Sequence, residues 1–176
     1  EVGIDVAYKV GAIAEKAFGD RMQPPALIKT LVDAKKLGRK SGEGFYSYQG
    51  DKRGVAPGLY ERLGVQVQPG KVPGGEIARR CTLAMVNECV RCFEEGILRS
   101  ARDGDIAAVF GLGFPPHLAG PFHYVDSLGA KEVCTQLETL AKAHGARFEP
   151  APLLTRMAQE GTRFFPDPAV GGVIVT

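Results

Sequence analysis

The sequence predicts an all-α fold, on three observations. Apolar residues recur at steps of three and four along several long segments, the period of a helix with one buried face. Strand alternation is confined to two short pieces, Val65–Val67 and Val173–Val175. Residues 1–34 also echo residues 127–160 without a gap: Gly3 falls on Gly129, Gly19 on Gly145, Arg21 on Arg147, Pro24 on Pro150 and Leu27 on Leu153. Both copies then close on an aromatic pair, Phe45–Tyr46 and Phe164–Phe165. A repeat unit of this size buries its apolar face against a neighbour rather than alone, so the expected architecture is a duplicated helical domain.

The elements follow in order. Residues 4–18 place Ile4, Ala7, Tyr8, Gly11, Ala14 and Phe18 on one helical face, and Gly19 stands where a stop is needed. Residues 25–37 form a second predicted helix. Pro25 suits its first turn, Leu27, Ile28, Leu31 and Val32 make its stripe, and Lys35 and Lys36 complement the carbonyl end of the dipole before Gly38. Residues 49–75 mix glycine, proline and charge with little periodicity and read as a linker, with one helical turn near Leu59–Leu63. Residues 76–98 predict the longest helix, with Ile77, Cys81, Ala84, Met85, Cys89, Cys92, Phe93 and Ile97 on a broad apolar face. Asp103–Asp105 lead into a short helix over Ile106–Phe110, and Gly111 to Pro116 is a rigid loop. Asp126 or Ser127 caps a helix over 127–144, Gly145 ends it, and residues 152–160 repeat helix 25–37. The domain plan is thus a first repeat over 1–48, a linker over 49–75, a second repeat over 76–165 and a poorly packed tail over 166–176. The second copy is preceded by residues 76–126 and the first by nothing, so the first copy is expected to be truncated and the chain to be the tail of a longer protein.

Composition narrows the function. The chain has 176 residues, a formal net charge of +2 and a 24% charged fraction. That balance argues against nucleic acid or an anionic membrane as a partner. No apolar run approaches the roughly 18 residues of a spanning helix. Of the cysteines at 81, 89, 92 and 134, Cys89 and Cys92 form a CxxC. It lies deep inside a predicted helix and lacks the second pair of a zinc site, so small buried residues in a reducing compartment are expected.

The chemistry-bearing motifs are few. Gly111-Leu112-Gly113 lacks the preceding strand and following helix of a dinucleotide fingerprint. The basic cluster Lys35, Lys36, Arg39, Lys40, Lys52 and Arg53 suits either a phosphate or a solvated helix end. His117, His123 and His144 stand apart from any nucleophile or metal-ligand spacing, and adjacent Glu94 and Glu95 point to different sides of a helix. Asn87 and Glu88, mid-helix among apolar residues, are expected to hydrogen-bond across a helix–helix contact, since each would otherwise cost about 1–3 kcal/mol. No residues assemble a nucleophile, a base and an orienting group; catalytic, cofactor-binding and metal-binding residues are expected to be absent from this chain.

Several stretches resemble one family. The run from Gly38 through Arg39, Lys40, Ser41 and Gly44 to Phe45–Tyr46 resembles the segment that closes the C-terminal domain of 3-hydroxyacyl-CoA dehydrogenases. Met85 to Ile97, and Gly104 to Pro116 with its continuation through Gly120-Pro121-Phe122 to Asp126, are similar to the second C-terminal repeat of multifunctional fatty-acid oxidation α subunits of the trifunctional-enzyme type. The resemblance implies the helical fold shared with the C-terminal domain of 6-phosphogluconate dehydrogenase, without a Rossmann domain in this chain. It places NAD and a His–Glu catalytic pair in preceding domains, and gives none of those residues a counterpart here.

By the same resemblance the second copy plays the part of a dimer partner, and the first walls the acyl-CoA cleft, with Lys40, Ser41 and Tyr46 as candidate substrate contacts. Asn87, Glu88, Gly113, Pro115, Pro116 and Asp126 take structural or interface positions. The implied partners are Rossmann and hydratase domains, acyl-CoA, a thiolase subunit and a second copy. The implied location is the mitochondrial matrix in a eukaryote or the cytoplasm in a bacterium. A free-standing helical interaction module without catalysis is the alternative, since an apolar face left uncovered invites a partner.

Overall fold

The computed structural model describes residues 2–48, 54–68 and 70–165. The chain divides into two compact units, residues 1–71 and 72–176. The expected tail over 166–176, its strand piece Val173–Val175, and Lys52 and Arg53 lie outside the described residues.

Unit 1 opens with α1, Ile4–Phe18, and α2, Ala26–Asp33. Gly11 on α1 lies against the Pro24 ring, which brings the two helices together. The expected helix 25–37 stops early. Ala34 is its C-cap, Lys35 takes a left-handed φ of 56°, and the Lys36 N–H folds back to Leu31 O at 2.9 Å. Lys35 therefore occupies the position usually given to glycine, and Gly38 begins a loop instead of closing the helix. A two-stranded antiparallel ribbon follows, β1 (Tyr46–Ser47) with β2 (Gly54–Val55), in the register Tyr46 to Val55 and Ser47 to Gly54. The single turn α3, Leu59–Arg62, falls where the sequence placed it. Residues 54–63 nevertheless do not serve as linker. Ala56 and Leu59 are buried with Leu31, and Ile4, Phe45 and Leu63 pack around them. Their alternation was too short to read as structure, but burial against α2 gives them a place. No strand forms at Val65–Val67.

Unit 2 is built on α4, Gly74–Glu94. Its innermost residues are Leu83, Val86, Asn87 and Val90, at steps of three, one and three, while Ile77 and Cys81 are exposed. The buried stripe is thus rotated from the expected one, because two apolar stripes run along this helix and the packing chooses between them. Ile97 lies beyond the helix, which Gly96 closes with φ 73°. Ser100 Oγ accepts the Asp103 N–H and caps α5, Ala101–Leu112, so Asp103 and Asp105 sit inside a helix rather than before one. Gly120-Pro121 starts α6, Pro121–Leu128, with proline at its first position, where the missing N–H costs nothing. Helices α7 (Ala130–His144) and α8 (Pro152–Glu160) complete the unit. Phe114, Phe122, Val133, Leu137 and Leu154 fill the centre.

The repeat survives as geometry. α1 and α7 both run fifteen residues, starting 126 apart at Ile4 and Ala130. Each follows a glycine of similar backbone, Gly3 at φ 99°, ψ 133° and Gly129 at φ 88°, ψ 136°. A single 3-10 turn joins each helix pair, and Gln23 and Glu149 leave those turns at φ −58° with ψ 123° and 127°. Lys35 in the left-handed region corresponds, 126 residues on, to Gly161 at φ 68° in the second copy.

Candidate functional site

Local chemistry shapes the loop after α2. The Ser41 hydroxyl accepts the Leu37 N–H at 2.8 Å and donates within the same loop, toward Glu43 O at 2.8 Å and Gly38 O at 3.1 Å. The Gly38 N–H meets Glu43 O at 2.9 Å. Three residues of the basic cluster, Lys36, Arg39 and Lys40, are engaged inside the unit. Lys36 binds Glu43 at 2.8 Å, Arg62 reaches the same carboxylate at 3.4 Å, Lys40 binds Asp5 at 2.6 Å, and the Arg39 guanidinium lies over the Tyr48 ring at 5.6 Å. Hydrogen bonding from Lys36, with Arg62 nearby, holds the Glu43 carboxyl below its usual range against the opposing effect of desolvation. Lys40 does the same for Asp5. Lys36, Arg39 and Lys40 thus close the loop on itself and tie it to α1; these three cations of the cluster are already engaged.

Beside this loop lies an open apolar cleft of about 450 Å³. Gly3 just before α1, Ile4 and Ala7 of α1, Ile28 of α2, and Phe45, Tyr46 and Tyr48 line it. Of the three candidate substrate contacts, Tyr46 faces this cleft and is exposed. Ser41 is occupied by backbone, and Lys40 is held by Asp5.

In unit 2 the conspicuous polar groups are scaffolding. Asn87 is fully buried. Its Nδ2 donates to Glu149 O and its Oδ1 accepts the Ala151 N–H, both at 2.8 Å, so it staples α4 to the entry of α8. Glu88 instead faces Arg91 at 3.8 Å, while Arg91 donates to Glu149 O. Asp126 caps nothing: its two oxygens accept the Phe164 and Phe165 N–H groups at 3.0 and 2.8 Å, with Arg163 at 3.8 Å. Gly113 closes α5 at φ 72°, and Pro115 and Pro116 lead into a 3-10 turn. Gly111-Leu112-Gly113 therefore ends a helix, where a dinucleotide loop would open one. This loop does not fit a nicotinamide dinucleotide. Glu94 accepts the Leu153 N–H and pairs with Arg156, both at 3.2 Å, a structural task for one of the two adjacent glutamates.

Asp105 was passed over in the sequence. It is buried, with Oδ1 accepting the Phe122 N–H at 2.7 Å and Oδ2 against His123 Nδ1 at 2.6 Å. It thereby caps α6 from seventeen residues away, and His123 belongs to that helix and stacks on Phe165 at 4.0 Å. Two glycines permit the arrangement. A Cβ on Gly120, which has φ 117°, would strike the Asp105 carboxylate, and one on Gly104 would strike the Phe122 ring. The spacing of glycine, aspartate and Gly-Pro-Phe was the readable signal. Cys89 and Cys92 lie in the last two turns of α4, not deep inside it; burial pushes the Cys89 thiol up to about 11. Among the described residues no three His, Cys, Asp or Glu side chains cluster as metal ligands, and no helix is long and apolar enough to cross a membrane.

Comparison with known proteins agrees with this architecture. The family of the 3-hydroxyacyl-CoA dehydrogenase C-terminal domain matches residues 1–48 and 75–163, once for each copy. The chain is 49% identical over 168 residues to the fatty acid oxidation complex subunit alpha of Shewanella halifaxensis, covering 94% of this chain and 23% of that protein. The subunit alpha of Shewanella amazonensis is likewise 49% identical, with 94% and 24% covered. The chain thus spans about a quarter of the length of these relatives. The crystal structure of Escherichia coli 3-hydroxybutyryl-CoA dehydrogenase shares the fold, with a TM-score of 0.66 at 20% identity over 90% of this chain and 49% of that one. With both copies matched and their helix pairs repeated in backbone geometry, the chain belongs to the 3-hydroxyacyl-CoA dehydrogenase C-terminal domain family.

Proposed function

We propose that this chain forms the helical C-terminal part of an NAD-dependent L-3-hydroxyacyl-CoA dehydrogenase of fatty-acid oxidation. The observation that carries the reading is the identity of 49% over 94% of the chain to fatty acid oxidation complex α subunits, distributed over both helical copies. The complete enzyme would oxidise the C3 hydroxyl of an L-3-hydroxyacyl-CoA to a ketone, passing hydride to NAD⁺ and the proton to a base. Both NAD and the base belong to domains outside this sequence.

The role of this chain is then to shape and support. Unit 1 supplies apolar wall to the acyl-CoA cleft through Ile4, Phe45 and Tyr46, and unit 2 supplies packing surface. The chain alone is inert, and the Rossmann and hydratase domains, a thiolase subunit and a second copy are its partners in the complex. It works in the cytoplasm of a bacterium or the mitochondrial matrix of a eukaryote.

Calorimetric titration tests this. NAD⁺ added to the isolated chain is expected to give no specific heat, and micromolar binding would overturn the reading. A separately produced N-terminal portion of a relative's α subunit is expected to gain dehydrogenase activity on mixing with this chain.

A further inference from the structure

Helix α1 buries none of its residues. Its apolar side chains form two faces. Ile4, Ala7, Tyr8, Gly11 and Ala14 make the first. Their counterparts in α7, 126 residues on, are Ala130, Val133, Cys134, Leu137 and Leu140, all buried. That face follows the packing of the repeat. Val6, Val10, Ile13 and Ala17 make the second, at steps of four, three and four. Val10 is 58% and Ile13 69% exposed. The counterparts of Val6, Val10 and Ile13 are Glu132, Gln136 and Thr139, none of them buried. The repeat thus does not bury this face in the second copy, where it is polar. Its apolar character in the first copy answers to something outside the repeat.

Steps of four, three and four are those of a seam between paired helices. Residues three and four apart are neighbours on a helix surface, so the exposed Lys9 and Lys16 border this seam along one edge, with Ala7 and Ala14 along the other. We propose that the face receives a helix of a partner subunit, with an apolar seam of the same spacing and carboxylates along the edge that meets Lys9 and Lys16. The stretches of this chain outside the described residues have the wrong sequence for that helix. Residues 166–176 hold one carboxylate side chain, Asp167, among two prolines and two glycines, and residues 49–53 are too short to form one. A second copy is ill-matched in charge. Another α1 brings lysines and alanines to the same edge, and Ile106 and Phe110, exposed on α5, have Arg102 one turn away. By the function proposed above the chain works in a complex of unlike subunits, and the inference rests on that reading.

The probe is a fluorescein-labelled synthetic helix of about three heptads, with leucine at the seam positions and glutamate along one edge. It is titrated into the whole chain, with binding read by fluorescence anisotropy and its place by the Val10 and Ile13 methyl signals in NMR. Saturable binding with a Kd below about 1 mM and shifts of both methyls are expected. A probe with lysine in place of glutamate should bind several-fold more weakly, and Lys9→Glu/Lys16→Glu should reverse that preference. Val6→Glu/Val10→Gln/Ile13→Thr gives α1 the residues that α7 carries, and should abolish binding with an unchanged circular dichroism spectrum. Equal binding of the two probes overturns the proposal, as do unmoved methyls. So does a free chain whose Ile13 methyl is shielded from a soluble paramagnetic agent. Shielding at every concentration means that the chain covers the face itself, and shielding that grows with concentration means that a second copy does. The NAD⁺ titration does not involve this face, so the two readings fail separately.

Discussion

Asn87 on α4 and Ala151 at the head of α8 stand 64 residues apart in the chain, yet the Ala151 N–H donates to Asn87 Oδ1 at 2.8 Å in a fully buried site. The same amide holds Glu149 O with its other end. Asn87→Ala strands the Ala151 N–H at about 1–3 kcal/mol, leaves Glu149 O with Arg91 alone, and opens a small cavity in the core. Urea denaturation is expected to show a loss of about 2–4 kcal/mol, while Glu88→Ala, on the partly exposed side, stays within about 1 kcal/mol. Equal losses for the two would dismiss the staple.

Lys35 bears a side chain in a left-handed backbone position at φ 56°. Gly161 does the corresponding duty in the second copy without that strain. Lys35→Gly is therefore expected to stabilise unit 1 by about 1 kcal/mol, read as a higher urea midpoint. A lower midpoint would show that Lys35 earns its place through other contacts.

Gly104 and Gly120 admit no side chain. Gly104→Ala drives a methyl into the Phe122 ring, and Gly120→Ala meets the Asp105 carboxylate in addition to its unfavourable φ. Each is expected to cost about 1–3 kcal/mol, and the Gly120 change should also free His123, seen as a shifted imidazole resonance.

Glu43 and Asp5 carry carboxyls held below their ordinary range by Lys36 and Lys40 respectively. For a depressed folded pKa, the stabilising effect is complete above the ordinary carboxylate range and fades as pH falls through the folded value. Unit 1 is expected to weaken on acidification below that range, less steeply in Glu43→Gln and at high salt. Melting followed from pH 6 downward checks the slope.

Burial raises the Cys89 thiol to about 11, and burial also raises Cys134. With Cys81 exposed, Ellman's reagent at pH 8 should label Cys81 at least tenfold faster than Cys89. Cys81→Ser should abolish the fast phase; a persisting fast phase would place Cys89 at the surface.

The legible parts of the fold were those with punctuation. Helices α1, α7 and α8 were visible because glycines and prolines bound a clear apolar period. What escaped depended on distant contacts. Gly120-Pro121 looks the same as a break or as the start of a helix; only Asp105, seventeen residues away, decides for α6 by capping it. Asp126 has the composition of a cap, but the nearest orphan N–H groups were those of Phe164 and Phe165. The candidate contacts Lys40, Ser41 and Tyr46 followed from the resemblance alone; the ties of Lys40 to Asp5 and of Ser41 to its own loop arise only once the loop closes.

The joints beside α1 and α7 outlasted the interiors they serve. Gly3 and Gly129 hold nearly the same angles, while Ala7 and Val133, or Gly11 and Leu137, no longer match in bulk. Ancestry in this chain is therefore written in its bends. A graft exchanging the two helix pairs would inherit the correct direction of travel and still meet a neighbourhood shaped for other volumes.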